Sequence, residues 1–253
     1  MRALLLATTA FSLIPATAFA DGKLFSGLGD VGYDYVDIDA VGSDGLNHFH
    51  GTGSALWTFS DNLNVQGNFD FNTFDTDGGE GVSNSRFGGA VFWRDPNEYA
   101  FGGELHYQRL EGLDGVNLRA RGEMFLSEAT LGAFIGYSSY DDIDGFQLGG
   151  YGSYYLEPQI ALNGQLRYST WDGGFGPSDV DDISLSGEVE YLIPDCDTSV
   201  YGGLGFGSLE SDSDDEGYWH IGAGLRVHFG ADGSLQQRNR AEPLRTIRDH
   251  FIF

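Results

Sequence analysis

The stretch Trp219-His220-Ile221-Gly222-Ala223-Gly224-Leu225-Arg226-Val227-His228-Phe229 decides how this chain is to be read. Trp219, Ile221, Ala223, Leu225, Val227 and Phe229 occupy one phase, and His220, Gly222, Gly224, Arg226 and His228 the other. An extended strand sends successive side chains to opposite faces, so one face here is apolar and the other polar. A soluble sandwich would also bury an apolar face, but it would not usually end its strands in aromatics and carry charges mid-strand on the other side. A strand with hydrocarbon outside and water inside does both.

Moving outward, the same alternation returns about every dozen residues from Gly27. It predicts strands at 27–38, 47–59, 63–74, 84–94, 99–110, 116–126, 129–140, 145–156, 159–171, 183–193, 198–209 and 218–229. Each is as long as a tilted strand needs to cross a bilayer, on the order of 9 to 11 residues. The fold class expected is all-β: an antiparallel transmembrane β-barrel of about 12 strands. No run approaches the roughly 20 apolar residues of a spanning helix, and mean hydropathy is only -0.23.

The connections alternate in length. Ser60-Asp61-Asn62, Asp95 to Glu98, Ser127-Glu128, Glu157-Pro158 and Pro194 to Asp197 are short and rich in turn formers. Asp39 to Leu46, Asp75 to Ser83, Asp172 to Asp182 and Glu210 to Gly217 are longer, with tighter members at Glu111 to Gly115 and Asp141 to Asp144. Short periplasmic turns and longer extracellular loops are expected, with both termini in the periplasm.

The N-terminal residues read as a secretory signal: Arg2, an apolar run from Ala3 to Pro15, then Ala18-Phe19-Ala20 as cleavage site. The expected division is a signal peptide at 1–20, a barrel at 21–229 and a periplasmic tail at 230–253, without a linker between repeats. The single cysteine, Cys196, falls in a turn, so no intramolecular disulfide is possible. A formal charge of -25 argues against nucleic acid, whose phosphates require Lys and Arg.

Outward-phase aromatics gather at strand ends, forming a girdle of Trp57, Phe59, Trp93, Tyr99, Phe101, Tyr154, Tyr191 and Phe229 beside the short turns. Trp219 belongs to the opposite belt, with Tyr33, Tyr35, Tyr107, Tyr137 and Tyr168. Signal peptide, loop asymmetry, girdles and the ending Leu225-Arg226-Val227-His228-Phe229 together resemble the Gram-negative outer-membrane β-barrels, porin-like members among them. The resemblance spans Gly27 to Phe229 and rests on architecture rather than a discrete motif. It implies residence in the outer membrane, insertion by the outer-membrane assembly machinery and contact with lipid and lipopolysaccharide. One departure is that an aromatic-ended strand commonly closes such chains, whereas Gly230 to Phe253 follows here. Arg238, Arg240, Arg245 and Arg248 make that tail basic; it could fold back toward the periplasmic mouth or rest on other periplasmic components, with a loose, solvated end the simpler expectation.

The inward phase carries Arg86, Arg94, Glu104, Arg119, Arg121, Glu123, Arg167, Glu188, Glu190 and Arg226, expected to line the lumen and to pair in part across strands. Glu104 should meet the Arg121 and Glu123 region, and Arg167 should approach Glu188. Small inward residues such as Gly88, Gly102, Gly136 and Ser186 leave room for a narrow channel for small hydrophilic solutes. Phe92, Phe125, Phe134, Tyr151 and Tyr155 tilt back toward a plugged interior; the channel is the first expectation, and a non-conducting barrel serving structure or surface recognition through its acidic loops the second.

A lipid hydrolase or protease comes third, and no G-x-S-x-G or H-E-x-x-H occurs. His48 and His50 on strand two and His220 on strand twelve fall at the outer mouth, separated only by strand one after closure, where a metal site or a catalytic base would be the sharper reading. Inward histidines of a polar lumen are more often solvated hydrogen-bonders, so no catalytic residue, no metal ligand and no cofactor is expected. The acidic outer loops at 75–80, 141–144, 179–182 and 212–216 suit Ca²⁺ or Mg²⁺ bridging to lipopolysaccharide, with plain hydration the simpler reading. The oligomeric state stays open, because lipid-facing and protomer-facing strands share one apolar pattern.

Overall fold

The structure, a computed structural model, describes residues 25–39, 45–60, 62–76, 81–110, 113–141, 143–172, 179–211 and 215–245. The expected signal segment, residues 246–253 and parts of the acidic loops lie outside them, with Asp77, Glu80, Asp142 and Asp212 among these. Twelve strands follow one another: β1 (Phe25–Ile38), β2 (Leu46–Thr58), β3 (Leu63–Thr76), β4 (Val82–Asp95), β5 (Tyr99–Leu110), β6 (Leu113–Phe125), β7 (Ala129–Tyr140), β8 (Ile143–Glu157), β9 (Ile160–Asp172), β10 (Val180–Leu192), β11 (Thr198–Ser211) and β12 (Asp215–Phe229). Each pairs antiparallel with its sequence neighbours, and β1 closes on β12 with Gly27 opposite Phe229 and Ile38 opposite Tyr218. Closure leaves no edge whose backbone groups hydrocarbon would strand.

Strands run longer than expected at the long-loop end, where Val180 pairs with Ser211 and Glu210 with Asp215. Backbone pairing continues there past the apolar band. The segment 179–182, expected as an acidic loop, is therefore partly strand, and Asp182 turns inward with 3% exposure.

The outer face is apolar along its length: Leu105, Leu118, Leu131, Ile135, Leu166, Leu185, Leu204 and Ile221 are all exposed. So continuous an exposed apolar belt is a surface for lipid rather than water. Trp57, Phe59, Trp93, Tyr99, Phe101, Tyr154, Tyr191 and Trp219 project from it, as the alternation predicts, while Phe229 is half-buried.

Inside, apolar layers sit at both ends. Val36, Ile38 and Tyr218 form one at the long-loop end beside Tyr140, Ile143 and Trp171. At the short-turn end, Leu56, Ala90, Phe92, Ala100 and Phe125 form another around Leu244, while Tyr155, Ala161 and Leu192 enclose Leu235. Leu235 and Leu244 belong to the tail, so the chain's own end completes the inner core. The loose, solvated tail expected from composition is overturned.

Two glycines turn the chain back. Gly230 (φ 73°) and Gly233 (φ 98°) are left-handed, and a Cβ at Gly230 would meet the Phe25 carbonyl oxygen at 2.4 Å. Helix α1 (Leu235–Ala241) then starts at Ser234, whose hydroxyl accepts from the Gln237 amide while the Gln237 side chain accepts from the Ser234 amide.

Candidate functional site

The lumen between the apolar layers is built from charged side chains on alternate positions of neighbouring strands, a geometry that period two and antiparallel register impose. On one wall Arg121 reaches Glu104 at 3.0 Å and Glu123 at 2.9 Å, and donates to the Tyr151 hydroxyl at 2.8 Å. Glu104 lies opposite Arg119 in register, and Arg119 also donates to Gln147 at 3.0 Å. On the facing wall Arg226 engages three carboxylates, Asp30 at 3.0 Å, Glu188 at 3.2 Å and Glu190 at 2.6 Å.

Arg86 pairs with Asp70 at 2.9 Å. Arg167 pairs with Asp182 at 2.5 Å rather than approaching Glu188, which is held by Arg226 and Asn163. The register explains the correction. Arg167 sits opposite Ser184, two residues from Asp182, whereas Glu188 lies four residues the other way, about 13 Å along the strand.

These groups are buried, with Arg119 and Arg167 each 1% exposed and Glu190 fully enclosed. A buried charge is tolerable only when paired and hydrogen-bonded, which the cross-strand ladders provide.

The tail closes the short-turn end through side-chain and backbone contacts alike. Arg238 pairs with Asp197 at 2.9 Å, and Gln236 donates to the Ser127 carbonyl at 2.7 Å. Beyond the helix the chain enters the lumen. The Glu242 carboxylate lies 2.8 Å from His228 Nδ1, and its carbonyl accepts from Arg94 at 2.6 Å. Leu244 bonds Gln66 in both directions, at 2.7 and 2.9 Å. Arg121 donates to the Arg245 carbonyl at 2.8 Å, and the Arg245 guanidinium reaches Glu190 at 2.8 Å.

A cavity of about 120 Å³ remains between the two walls. Arg121, Glu123, Tyr151, Glu188 and Arg226 line its sides, Asp34 and His220 its long-loop limit, and Asn239, Leu244 and Arg245 its tail limit.

No protein-family model matches the chain, and no curated protein matches it. Solved structures do. The COG4313 outer membrane channel from Pseudomonas putida F1 superposes with a TM-score of 0.64 at 12% identity, over 83% of this chain and 98% of that one. The chain has the fold of an outer-membrane β-barrel. A KdgM porin aligns with a TM-score of 0.52 at 9% identity, over 79% of this chain and 99% of its own. The β domain of the Bordetella autotransporter BrkA aligns at 0.51 and 11% identity, over 81% of this chain and the whole of its own.

All ten lumen charges read from the alternation face inward in this barrel, and Arg94, Arg121, Glu190 and Arg226 converge on the tail or its contacts. The sequence reading missed Asp30, Asp34, Asp70 and Tyr201, although each lies in the inward phase of its strand. It ranked the tail's fold-back below a loose end. The signal available was Ser234-x-x-Gln237, a capping box after two glycines, which marks a helix start rather than a loose end.

His48, His50 and His220, expected as solvated side chains at the mouth, are 3%, 3% and 5% exposed. His48 and His50 face Asp34, with Nδ1 atoms 3.2 and 3.0 Å from its Oδ2.

Proposed function

We propose that this barrel is an outer-membrane channel for passive diffusion of small hydrophilic solutes, held closed at its periplasmic mouth by its own C-terminal tail. The observation that carries the reading is the cavity, flanked by Arg121, Glu123, Glu188 and Arg226, that ends on the tail. At the short-turn end the lumen is obstructed by residues 242–245, a segment held by side-chain contacts and not by sheet pairing. The solved channel and porin that share the fold favour transport as a class, and the opposed arginine and carboxylate walls suit small polar solutes. Export and residence in the outer membrane, contact with lipopolysaccharide and insertion by the assembly machinery belong to the same proposal.

A second reading is a non-conducting barrel, favoured by the apolar layers at both ends and the paired charges between them. No enzymatic role is assigned. Ser199, His228 and Glu242 do form a Ser–His–acid chain, with Ser199 Oγ 3.1 Å from His228 Nε2. All three are buried, however, and Ser199 donates to Glu190 at 2.6 Å, so its proton is committed elsewhere and no substrate reaches it. The constellation acts as a latch on the tail.

Single-channel recording of the refolded full chain beside a chain ending at Gly230 tests the proposal, after a heat-dependent gel-mobility shift confirms that both are folded. Small or rare openings in the full chain and sustained larger currents in the truncated one are expected. Two folded, silent barrels would overturn the channel and leave the second reading.

A further inference from the structure

We propose that Asp34, His48 and His50 form a binding site for a divalent transition-metal ion of the Zn²⁺ or Co²⁺ class, on the inner wall near the long-loop end. The site is independent of whether the barrel conducts.

Its origin is the register of two strands. His48 and His50 share the inward phase of β2, and β1 sets Asp34 directly opposite His48 and Gly32 opposite His50. The missing side chain at Gly32 matters here. A Cβ there would lie 2.5 Å from His50 Cε1 and Nε2, so the glycine makes the berth in which that ring turns toward Asp34.

Geometry supports metal ligation. One ligand atom from each residue lies within 4.8 Å of the other two. His50 Nδ1 and His48 Nδ1 stand 3.0 and 3.2 Å from Asp34 Oδ2. Metal–ligand bonds of about 2.0–2.1 Å at tetrahedral angles put neighbouring ligand atoms ~3.3 Å apart, close to these separations. His48 Nδ1 is buried and has no hydrogen-bond partner among the described residues, with the Asp34 carboxylate facing it. Two imidazole nitrogens and one carboxylate oxygen form a donor set suited to borderline cations and leave a fourth position for water or an exogenous ligand.

The surroundings match what such ligands require. A ligating histidine offers its other ring nitrogen to an acceptor that fixes its orientation. His48 Nε2 lies 3.2 Å from Asn72 Oδ1, and the ring stacks on Phe74 with centroids 4.2 Å apart. His50 Nε2 lies 3.0 Å from the Tyr201 hydroxyl and 3.3 Å from the Asp30 carboxylate, whose other oxygen is held by Arg226. Asp34 also lines the lumen cavity, so water-sized space adjoins the cluster.

The test is calorimetric titration of the refolded, chelator-treated full chain with ZnCl₂, and separately CoCl₂ followed by visible absorption. One equivalent should bind, and a large excess of Mg²⁺ or Ca²⁺ should not displace it, because nitrogen donors disfavour hard cations. H48Q, H50Q and D34N should each weaken binding by at least about 100-fold. D30N, which alters only an outer partner, should weaken it by about 10- to 100-fold. G32A keeps every donor but displaces His50 and should also weaken binding. H106Q, a lumen histidine outside the cluster, should leave it unchanged. Each variant is scored only if its heat-dependent mobility shift shows a folded barrel. In the unsubstituted chain Co²⁺ should broaden the NMR signals of the His48 and His50 rings first, a readout that needs no variant. No binding by the folded chain, equal competition by Mg²⁺, full affinity in the folded histidine variants, or broadening centred elsewhere would each overturn the site.

Discussion

Arg245 in the tail and Arg226 in β12 share one carboxylate oxygen, Glu190 Oε2, at 2.8 and 2.6 Å. Wall and plug are thereby joined through a single buried group, which also accepts from Ser199 at 2.6 Å. The last strand and the segment that follows it are thus linked through this one carboxylate.

Removing one partner of such a cluster leaves buried charge behind, at a cost of about 3–5 kcal/mol. Glu190→Gln should therefore destabilise the barrel and release the tail together. Arg245→Ala removes a partly exposed charge and should release the tail with little loss of barrel stability. Denaturant unfolding and limited proteolysis after the α1 helix separate the two effects. Equal stability loss in both variants would contradict the arrangement.

Leu235 and Leu244 anchor the tail by burial, at 0% and 3% exposure. Truncating either to Ala should cost about 2–5 kcal/mol of docking free energy. Amide hydrogen exchange over residues 235–245 should accelerate in both variants, while the strands stay protected. Unchanged exchange would mean that the hydrogen bonds to Gln66, Arg94 and Arg121 suffice without the apolar anchors.

Leu118, near the middle of β6, is 58% exposed on the outer face. If that face meets hydrocarbon, Leu118→Arg should destabilise the barrel in vesicles by about 2–4 kcal/mol, the cost of a cation near the bilayer midplane. Leu118→Arg tolerated at no cost in a refolding titration would argue against a spanning barrel.

Arg119 and Arg121 stand on the wall that lines the route to the tail. In a chain ending at Gly230, replacing both with Met should move the reversal potential under a salt gradient toward cation preference. An unmoved potential would remove them from the conducting path.

The buried Ser199–His228–Glu242 chain makes a further point of test. A fluorophosphonate probe should leave the folded full chain unlabelled, since Ser199 is enclosed and bonded to Glu190. Labelling abolished by Ser199→Ala would establish a reactive serine and revive the hydrolase alternative.

The alternation from Gly27 to Phe229 was sufficient to count the strands, place the turns and assign faces. Period two is a local property, and lipid outside with water inside acts on every strand alike. Arg121 and Glu104 could be matched from the β5–β6 hairpin because one short connection joins their strands. Arg167 meets Asp182 rather than Glu188 because the register of β9 and β10 is offset by a few residues from what the sequence spacing suggests, and composition does not specify that offset.

What sequence alone determined, then, is the barrel and the inward or outward direction of each side chain, because both follow from chain periodicity and solvent. Only tertiary structure decided that Leu235 and Leu244 fill the short-turn end, that Arg245 meets Glu190, and that Asp34 stands between His48 and His50. Each of these joins residues on segments whose relative position is set by closure of β1 on β12 and by the reversal at Gly230 and Gly233. Contacts made across a closed ring carry no local period for a sequence to display.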